Sequence, residues 1–415
     1  MISLTRSPSK FGGGIGLLWR GTNLAALNGA LRGALLSSST AVGEAKPERF
    51  IFESARSALF HVLTAMGIGP GAEVIVSAFT CDAVTYAVMR AGSKVVYVDI
   101  NDDMTMNAAA VLAAISGKTK ALVVQNTLGR LGLDAETINQ IKARGVLVIE
   151  DCALSIGSRL GGIPHGVFGD VSTWSLEASK TLTIGWGGVL SVNDPERLEI
   201  IRRHYRGLKC VPLWVDLWRV LQLWVSVFLT AHPPPLGVYF WYFFYGFRLF
   251  RRSSDSQREY YTAHARLGSL SASLFRSMEG RSADAFRRTN ENYMVLAAKA
   301  RVLGLRCPVV PDEREFLVSP RFSLIVKEEE REVLTQTAAL AGIELGRWFD
   351  QAPPAYGLGQ ARVSSSANAR RISGLIVNLP CHWSLSPEDL QSMLRWMESI
   401  ASVRSGVGAP RSFIH

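Results

Sequence analysis

Short apolar runs alternating with amphipathic stretches limit the folds open to this chain. EVIVSAF, KVVYVDI, ALVVQNT, VLVIEDC and GVLSVND each have the length of a strand, and helical patterns such as 83–91 and 135–143 separate them. Repeated βα units with strands apolar on both sides of the pleat belong in an open, mostly parallel sheet. Gly69-Pro70-Gly71 and Gly161-Gly162 supply breaks between units. After Arg266 the pattern turns helical to about Val302, then gives RFSLIVK, EEEREVLTQTAALAGI and a strand near Leu375 to Asn378. This β-α-β pattern predicts a second, smaller domain. At 415 residues and 48% hydrophobic, the chain has room for both domains and one additional element. No internal repeat is present.

VLVIEDC ends on two carboxylates, Glu150 and Asp151. The carboxyl end of a buried parallel strand is where open α/β sheets place ligand chemistry. Taken alone, such an end fits a metal ligand, a ribose contact or a simple strand terminus. Twenty-nine residues on, GDVSTWSLEASKTLTIGWGG sets Lys180 between a strand-like run and a glycine-rich turn. A solvated loop lysine is the commoner meaning of such a residue. An amine that must condense with an aldehyde cofactor instead needs a rigid strand end and partial desolvation. Val171, Thr173 and Trp174 favour that strand, Ser175 and Ser179 offer hydroxyls, and Gly185, Gly187 and Gly188 let backbone approach a ligand. An upstream aspartate can hold the proton on a pyridine nitrogen, which is the protein's share of pyridoxal phosphate chemistry.

Asp151 and Lys180, in that order and spacing, carry a resemblance to the DegT/DnrJ/EryC1/StrS family of pyridoxal-phosphate-dependent sugar aminotransferases. GPGAEVIVSAFTCDAVTYAVMRAGSKVVYVDI resembles the family's segment over the cofactor, IEDCALSIGS its aspartate strand, GDVSTWSLEASKTLTIGWGG its lysine loop and NLPCHWSLSPEDL the end of its small domain. The resemblance implies aminotransferase fold type I: an α/β chain with a large, mostly parallel-sheet domain and a smaller α/β C-terminal domain. It makes Lys180 the residue that carries pyridoxal phosphate and moves the proton, Asp151 the partner of the ring nitrogen and Ser175 a phosphate contact. It also implies a homodimer with active sites shared between subunits.

The segment ESARSALFHVL starts a helix at Ser54, so the amides of Ala55, Arg56 and Ser57 are expected to face an anion. These residues replace the family's Gly-Thr-Ala turn, which shifts the phosphate contact to backbone and the Arg56 guanidinium. Three further cofactor positions depart from the family. Leu154 stands for Gln or His, Cys81 for an aromatic over the ring, and His264 for an asparagine that reaches the neighbouring subunit's phosphate. Asp82, Thr85 and Asn126 are more often cap or turn residues than ligand contacts.

Residues 211–250 have no counterpart in the family. Two apolar segments flank His232-Pro233-Pro234-Pro235. In the first, Asp216, Arg219, Gln222 and Ser226 recur on one helix face, with Trp, Leu and Val on the rest. The second, 236–247, is aromatic almost throughout and too short to span a bilayer. The expectation is an inserted hydrophobic hairpin that meets the inner membrane surface, flanked by Arg202, Arg203, Arg206 and Lys209 before it and Arg248, Arg251 and Arg252 after it. The competing expectation is a helical pair packed against protein. The chain then divides into an N-terminal arm (1–49), a large cofactor-binding domain (50–208), the insertion (209–258), a helical connection with dimer contacts (259–302) and a small domain (303–415). The first fifty residues form no signal-like apolar region.

The five cysteines form no CxxC pair and the seven histidines no HExxH, so neither a disulfide framework nor a metal site is expected, and His165 and His382 read as packed residues. Reduced thiols place the protein in the cytoplasm. The net charge of +10 suits an acidic surface or a phosphorylated substrate, without a nucleic-acid motif. Two functions follow. One is transfer of an amino group from an amino acid, glutamate by preference, to a keto-sugar on a nucleotide or lipid carrier, in polysaccharide or amino-sugar synthesis. The other is a non-catalytic, membrane-associated relative of the same fold.

Overall fold

The computed structural model describes residues 48–231, 266–279, 282–354 and 361–404. The first five strands among the described residues are β1 (Glu48–Phe52), β2 (Glu73–Ser77), β3 (Lys94–Val98), β4 (Thr119–Gln125) and β5 (Leu147–Asp151). Short β6 (Arg159–Leu160) and β7 (Ile163–Pro164) follow, then β8 (Val171–Ser175) and β9 (Gly188–Val192). The helices between them are α1 (Ala55–Ala65), α2 (Asp82–Arg90), α3 (Ala108–Ala114) and α4 (Ala135–Ala143). The fourth runs over the residues that its sequence pattern predicts.

After β9 come α5 (Pro195–Arg206), α6 (Leu213–Ala231), α7 (Ser269–Glu279) and α8 (Ser282–Val302). The C-terminal part holds β10 (Glu315–Phe316), β11 (Arg321–Ile325), α9 (Arg331–Leu340), β12 (Arg362–Val363), α10 (Ala367–Leu375), β13 (Ile376–Pro380) and α11 (Pro387–Arg404).

The main sheet has the order β1-β9-β8-β5-β4-β2-β3-β12. It is parallel from β8 to β12 and antiparallel where β9 pairs with β8 and β1. The pleat explains the all-apolar runs, because alternate residues feed opposite cores. Val74, Val76, Ala121, Val123, Leu147 and Ile149 pack on the side of α1 and α2. Ile75, Leu122, Val124 and Val148 pack with Val111, Ile138 and Ile141 of α3 and α4.

The sequence pattern leaves two arrangements open. In the smaller unit β11, α9 and β13 follow one another, and β11 and β13 pair antiparallel, with β12 and α10 also between them. β12 leaves that unit altogether and adds to the edge of the main sheet beside β3. Asp99 supports this crossing, accepting from the backbone amides of Asn368 and Ala369 at the start of α10 at 2.9 and 2.8 Å. The expected arm also ends early, since Glu48 and Arg49 already pair with β9. Where the first segment of the expected hairpin falls, the structure has helix α6; 236–247 lies outside the described residues. Among the described residues no helix is long and apolar enough to cross a membrane.

The strand-end pair Glu150–Asp151 is split by the pleat. Fully buried Glu150 accepts three hydrogen bonds, from Asn126 Nδ2 and the Gly166 amide at 2.9 Å and from the Gly169 amide at 2.7 Å. It thereby holds the β4 and β5 exits together. Replacing one carboxylate oxygen by an amide nitrogen turns an acceptor into a donor facing other donors. Glu150→Gln should therefore lower unfolding stability by about 2 kcal/mol or more, measured by urea denaturation.

Candidate active site

Three parallel strands end at one cavity. Gln125, Asp151 and Ser175, the last residues of β4, β5 and β8, all line a pocket of about 460 Å³. Gln125 and Asp151 are partners in register. Ala55, Arg56, Cys81, Leu154, Glu177 and Lys180 complete much of its wall. The structure thus brings together seven of the nine sequence-predicted site residues. Ser57 does not line the pocket, and His264 lies outside the described residues.

Asp151 is buried, and its carboxylate accepts the Ala153 amide at 3.0 Å. Burial raises its pKa above the ordinary range, opposed by that amide and by the Lys180 ammonium. Lys180 follows the turn after β8, where its amide donates to the Glu177 carbonyl at 3.0 Å. Its ammonium lies 4.9 Å from the centre of the Trp348 ring, within cation–π range. Glu177 accepts from the Ser179 amide at 3.0 Å and from the Ser179 hydroxyl, which fixes the residue next to Lys180.

Ser54 is the N-cap of α1, and its Oγ accepts the Ser57 amide at 3.2 Å. This corrects the expectation that three amides face an anion, because the Ser57 amide is occupied by the cap. Ala55 and Arg56 remain on the pocket wall. Arg56 is largely buried, and desolvation lowers its pKa, opposed chiefly by Cys81 and then by Glu177 and Glu53. Gly188 also has a different duty from the one expected. A Cβ there would fall 2.2 Å from the Ala55 nitrogen, so its close approach is to the start of α1 and not to a ligand.

Asn126 donates to Glu150 at 2.9 Å and accepts from the Gly132 amide at 2.8 Å, so its amide group is structural although it touches the pocket. Thr85 bonds Tyr97 Oη at 2.8 Å inside the core.

Sequence reasoning missed the wall contributed from far along the chain. Arg347, Trp348, Phe349 and Asp350 line the pocket opposite the strand ends. The aromatic surface not found at Cys81 is supplied by Trp348, Phe349 and Trp186. The cluster Arg-Trp-Phe-Asp was the available signal. Arg321, fully buried at the start of β11, stacks on Trp348 at 5.0 Å. His382 lines a small cavity beside Lys180; its Nδ1 pairs with Ser384 Oγ at 2.8 Å, and its buried Nε2 has no hydrogen-bond partner among the described residues.

These residues fit pyridoxal phosphate. The start of α1 with Arg56 offers positive charge for a phosphate. Lys180 and Asp151 suit the aldehyde and the ring nitrogen respectively. Among the described residues no group of His, Cys, Asp and Glu could hold a metal ion.

The sequence model of the DegT/DnrJ/EryC1/StrS aminotransferase family matches residues 50–219, the segment that carries α1, Asp151, Ser175 and Lys180. Over that segment, about two fifths of the chain, the sequence is similar to this family. It is 42% identical over 154 residues to a pleiotropic regulatory protein of Geobacillus stearothermophilus, covering 35% of this chain and 41% of that protein. It is 38% identical over 164 residues to a UDP-N-acetyl-3-dehydro-alpha-D-glucosamine 3-aminotransferase of Acidithiobacillus ferrooxidans, covering 39% and 43%. The chain spans about two fifths of the length of the curated relatives it matches. Among solved structures, Spr1654 from Streptococcus pneumoniae in its PLP form matches with a TM-score of 0.72 at 19% identity, over 92% of this chain and 97% of that one. That likeness shows that the chain shares the fold of that protein.

Burial lowers the pKa of His382 from 6.5 to about 4, with Arg321 adding to the effect. Between those values the unfolded chain binds a proton that the folded chain does not, so this residue's contribution falls as pH falls. It should amount to about 1.4 kcal/mol per pH unit. Urea denaturation from about pH 7 to about pH 5 should show a smaller loss of stability in His382→Asn than in the parent chain.

Proposed function

We propose that the protein is a pyridoxal-phosphate-dependent aminotransferase that moves an amino group from an amino acid, glutamate by preference, to a keto-sugar on a nucleotide or lipid carrier, in polysaccharide or amino-sugar synthesis. The observation that carries this reading is the meeting of Lys180, Asp151 and the start of α1 in one pocket at the ends of β4, β5 and β8. The 3-aminotransferase relative, named for an N-acetyl-dehydro-glucosamine on UDP, supports the keto-sugar.

Pyridoxal phosphate supplies an electron-withdrawing ring. The Asp151 carboxylate holds the proton on its nitrogen, and burial strengthens that pairing. Arg56, the Ala55 and Arg56 amides and Ser175 would hold its phosphate. Lys180 Nζ would hold the aldehyde end and move the substrate proton. Trp348 and Phe349 close the wall facing the strand ends and exclude water. Leu154 and Cys81 touch the same space without offering a ring or an amide to the cofactor.

We further propose a cytoplasmic homodimer with shared sites, His264 being the residue offered to the neighbour. Arg266 is held within its own chain, its guanidinium 4.9 Å from the Tyr205 ring centre and its backbone bonded to Lys209 and Val211. The non-catalytic reading finds a parallel in the regulatory name of one relative. An intact lysine and aspartate facing one pocket favour the enzyme.

Borohydride reduction of the cofactor-loaded protein, followed by peptide mapping, should place the pyridoxyl label on Lys180; a label elsewhere, or none, refutes the assignment. Asp151→Asn should keep the fold and the label while turnover drops by about two orders of magnitude or more. Near-normal turnover would remove Asp151 from the reaction.

A further inference from the structure

Helix α6 is inverted relative to an ordinary surface helix. Its polar residues point inward: Asp216 and Gln222 are buried, and Arg219 pairs with buried Glu53 at 3.0 Å. Val220 and Leu223 are buried as well, while Leu213, Trp214, Leu217 and Leu221 point out, 60%, 74%, 49% and 45% exposed. Leucines at positions 213, 217 and 221 recur every fourth residue, which makes them one continuous stripe.

The inversion is locked. Asp216 caps α7 from outside that helix, accepting the Leu270 amide at 2.9 Å and the Ser271 hydroxyl at 2.5 Å. The two elements approach so closely that a Cβ on Gly268 would lie 2.1 Å from Asp216 Oδ2. Rolling α6 to bury its tryptophans would strip these bonds from a buried carboxylate and leave the first amides of α7 without an acceptor. The apolar stripe therefore stays on the surface, and its size calls for a partner.

We infer that this face docks on an anionic lipid bilayer, lying in the interface without crossing it. Charge selects this occupant. Arg203, Arg206 and Lys209 are exposed within the ten residues before Leu213, and Asp216, the one carboxylate from 203 to 225, is buried. A surface of apolar stripe and cationic flank matches acyl chains under anionic headgroups, where tryptophan and basic side chains are both favoured. A second copy on the same face would bring the two cationic flanks together.

The dock is coupled to the pocket. Arg219, on the inner side of α6, lies 5.8 Å from the centre of Trp186, which lines the pocket, and pairs with Glu53 immediately before the α1 cap. Resting on the aminotransferase reading, this points to a sugar carried on a lipid diphosphate in preference to a soluble nucleotide.

The full chain, loaded with cofactor, is tested by co-sedimentation with vesicles of phosphatidylcholine alone or mixed with phosphatidylglycerol. Binding is expected to the mixed vesicles only, weakening with salt. The variant Trp214→Glu/Leu217→Glu should bind about a hundredfold more weakly, with its Lys180 label and oligomeric state unchanged. Three results overturn the proposal: a parent chain that ignores mixed vesicles, a variant that binds as tightly as the parent, or a variant whose oligomeric state changes, which would assign the stripe to a second copy. Because vesicle binding is read without turnover, its failure is distinguishable from failure of the Lys180 label.

Discussion

The contact between β9 and the start of α1 positions the parts of the pocket relative to one another. Gly188 presents bare backbone to Ser54 and Ala55, and Gly187 bridges to Ser54. Any side chain at Gly188 would drive α1 outward, because its Cβ would meet main-chain atoms that cannot rotate away. The approach aims a helix N-terminus, with its positive end, at the space that Lys180 shares. The lysine loop thus begins at β8, carries the amine, and ends on the glycine that seats the anion-facing helix. Amine and anion site are set by one stretch of chain.

At the other side of the pocket the pleat of β5 divides two adjacent carboxylates between two tasks. Glu150 receives three N–H groups and holds the loops behind the sheet. Asp151 accepts one amide in front of it and keeps acceptor capacity for a ligand. Burial is common to both; the number of donors differs. A carboxylate saturated with donors anchors structure, whereas one with a single donor beside a cation is suited to hold a proton on a partner.

The sequence made the sheet, α4, and the Lys180–Asp151 pair legible because each rests on local pattern or on order along the chain. The β-branched runs carry their period in themselves, and Asp151 ends β5 while Lys180 follows the turn after the neighbouring β8. Trp348, Phe349, Arg321 and His382 were not legible as site residues, since they reach Lys180 only through packing of the C-terminal strands against the main sheet. The antiparallel pairing of β11 with β13 and the escape of β12 to the sheet edge are likewise decided by non-local contacts. Ser57 shows a finer limit. Its position at the start of α1 was read correctly, but whether its amide is free depends on where the Ser54 hydroxyl turns.

Helix α6 exposes the same limit in its polarity. The sequence shows one polar face and one apolar face but not which of them meets the protein. A helix usually turns its apolar face inward because hydrophobic burial outweighs the loss of a few solvated polar groups. Here three polar residues have specific partners inside: Asp216 on the start of α7, Arg219 on Glu53, and Gln222 in the buried interface. Satisfied buried polar groups are costly to disturb, while the exposed tryptophans and leucines lose nothing further if a second apolar phase covers them. The orientation is therefore the stable one if a second apolar phase covers the outer face, and the ion pair to Glu53 joins α6 to the residue just before the α1 cap.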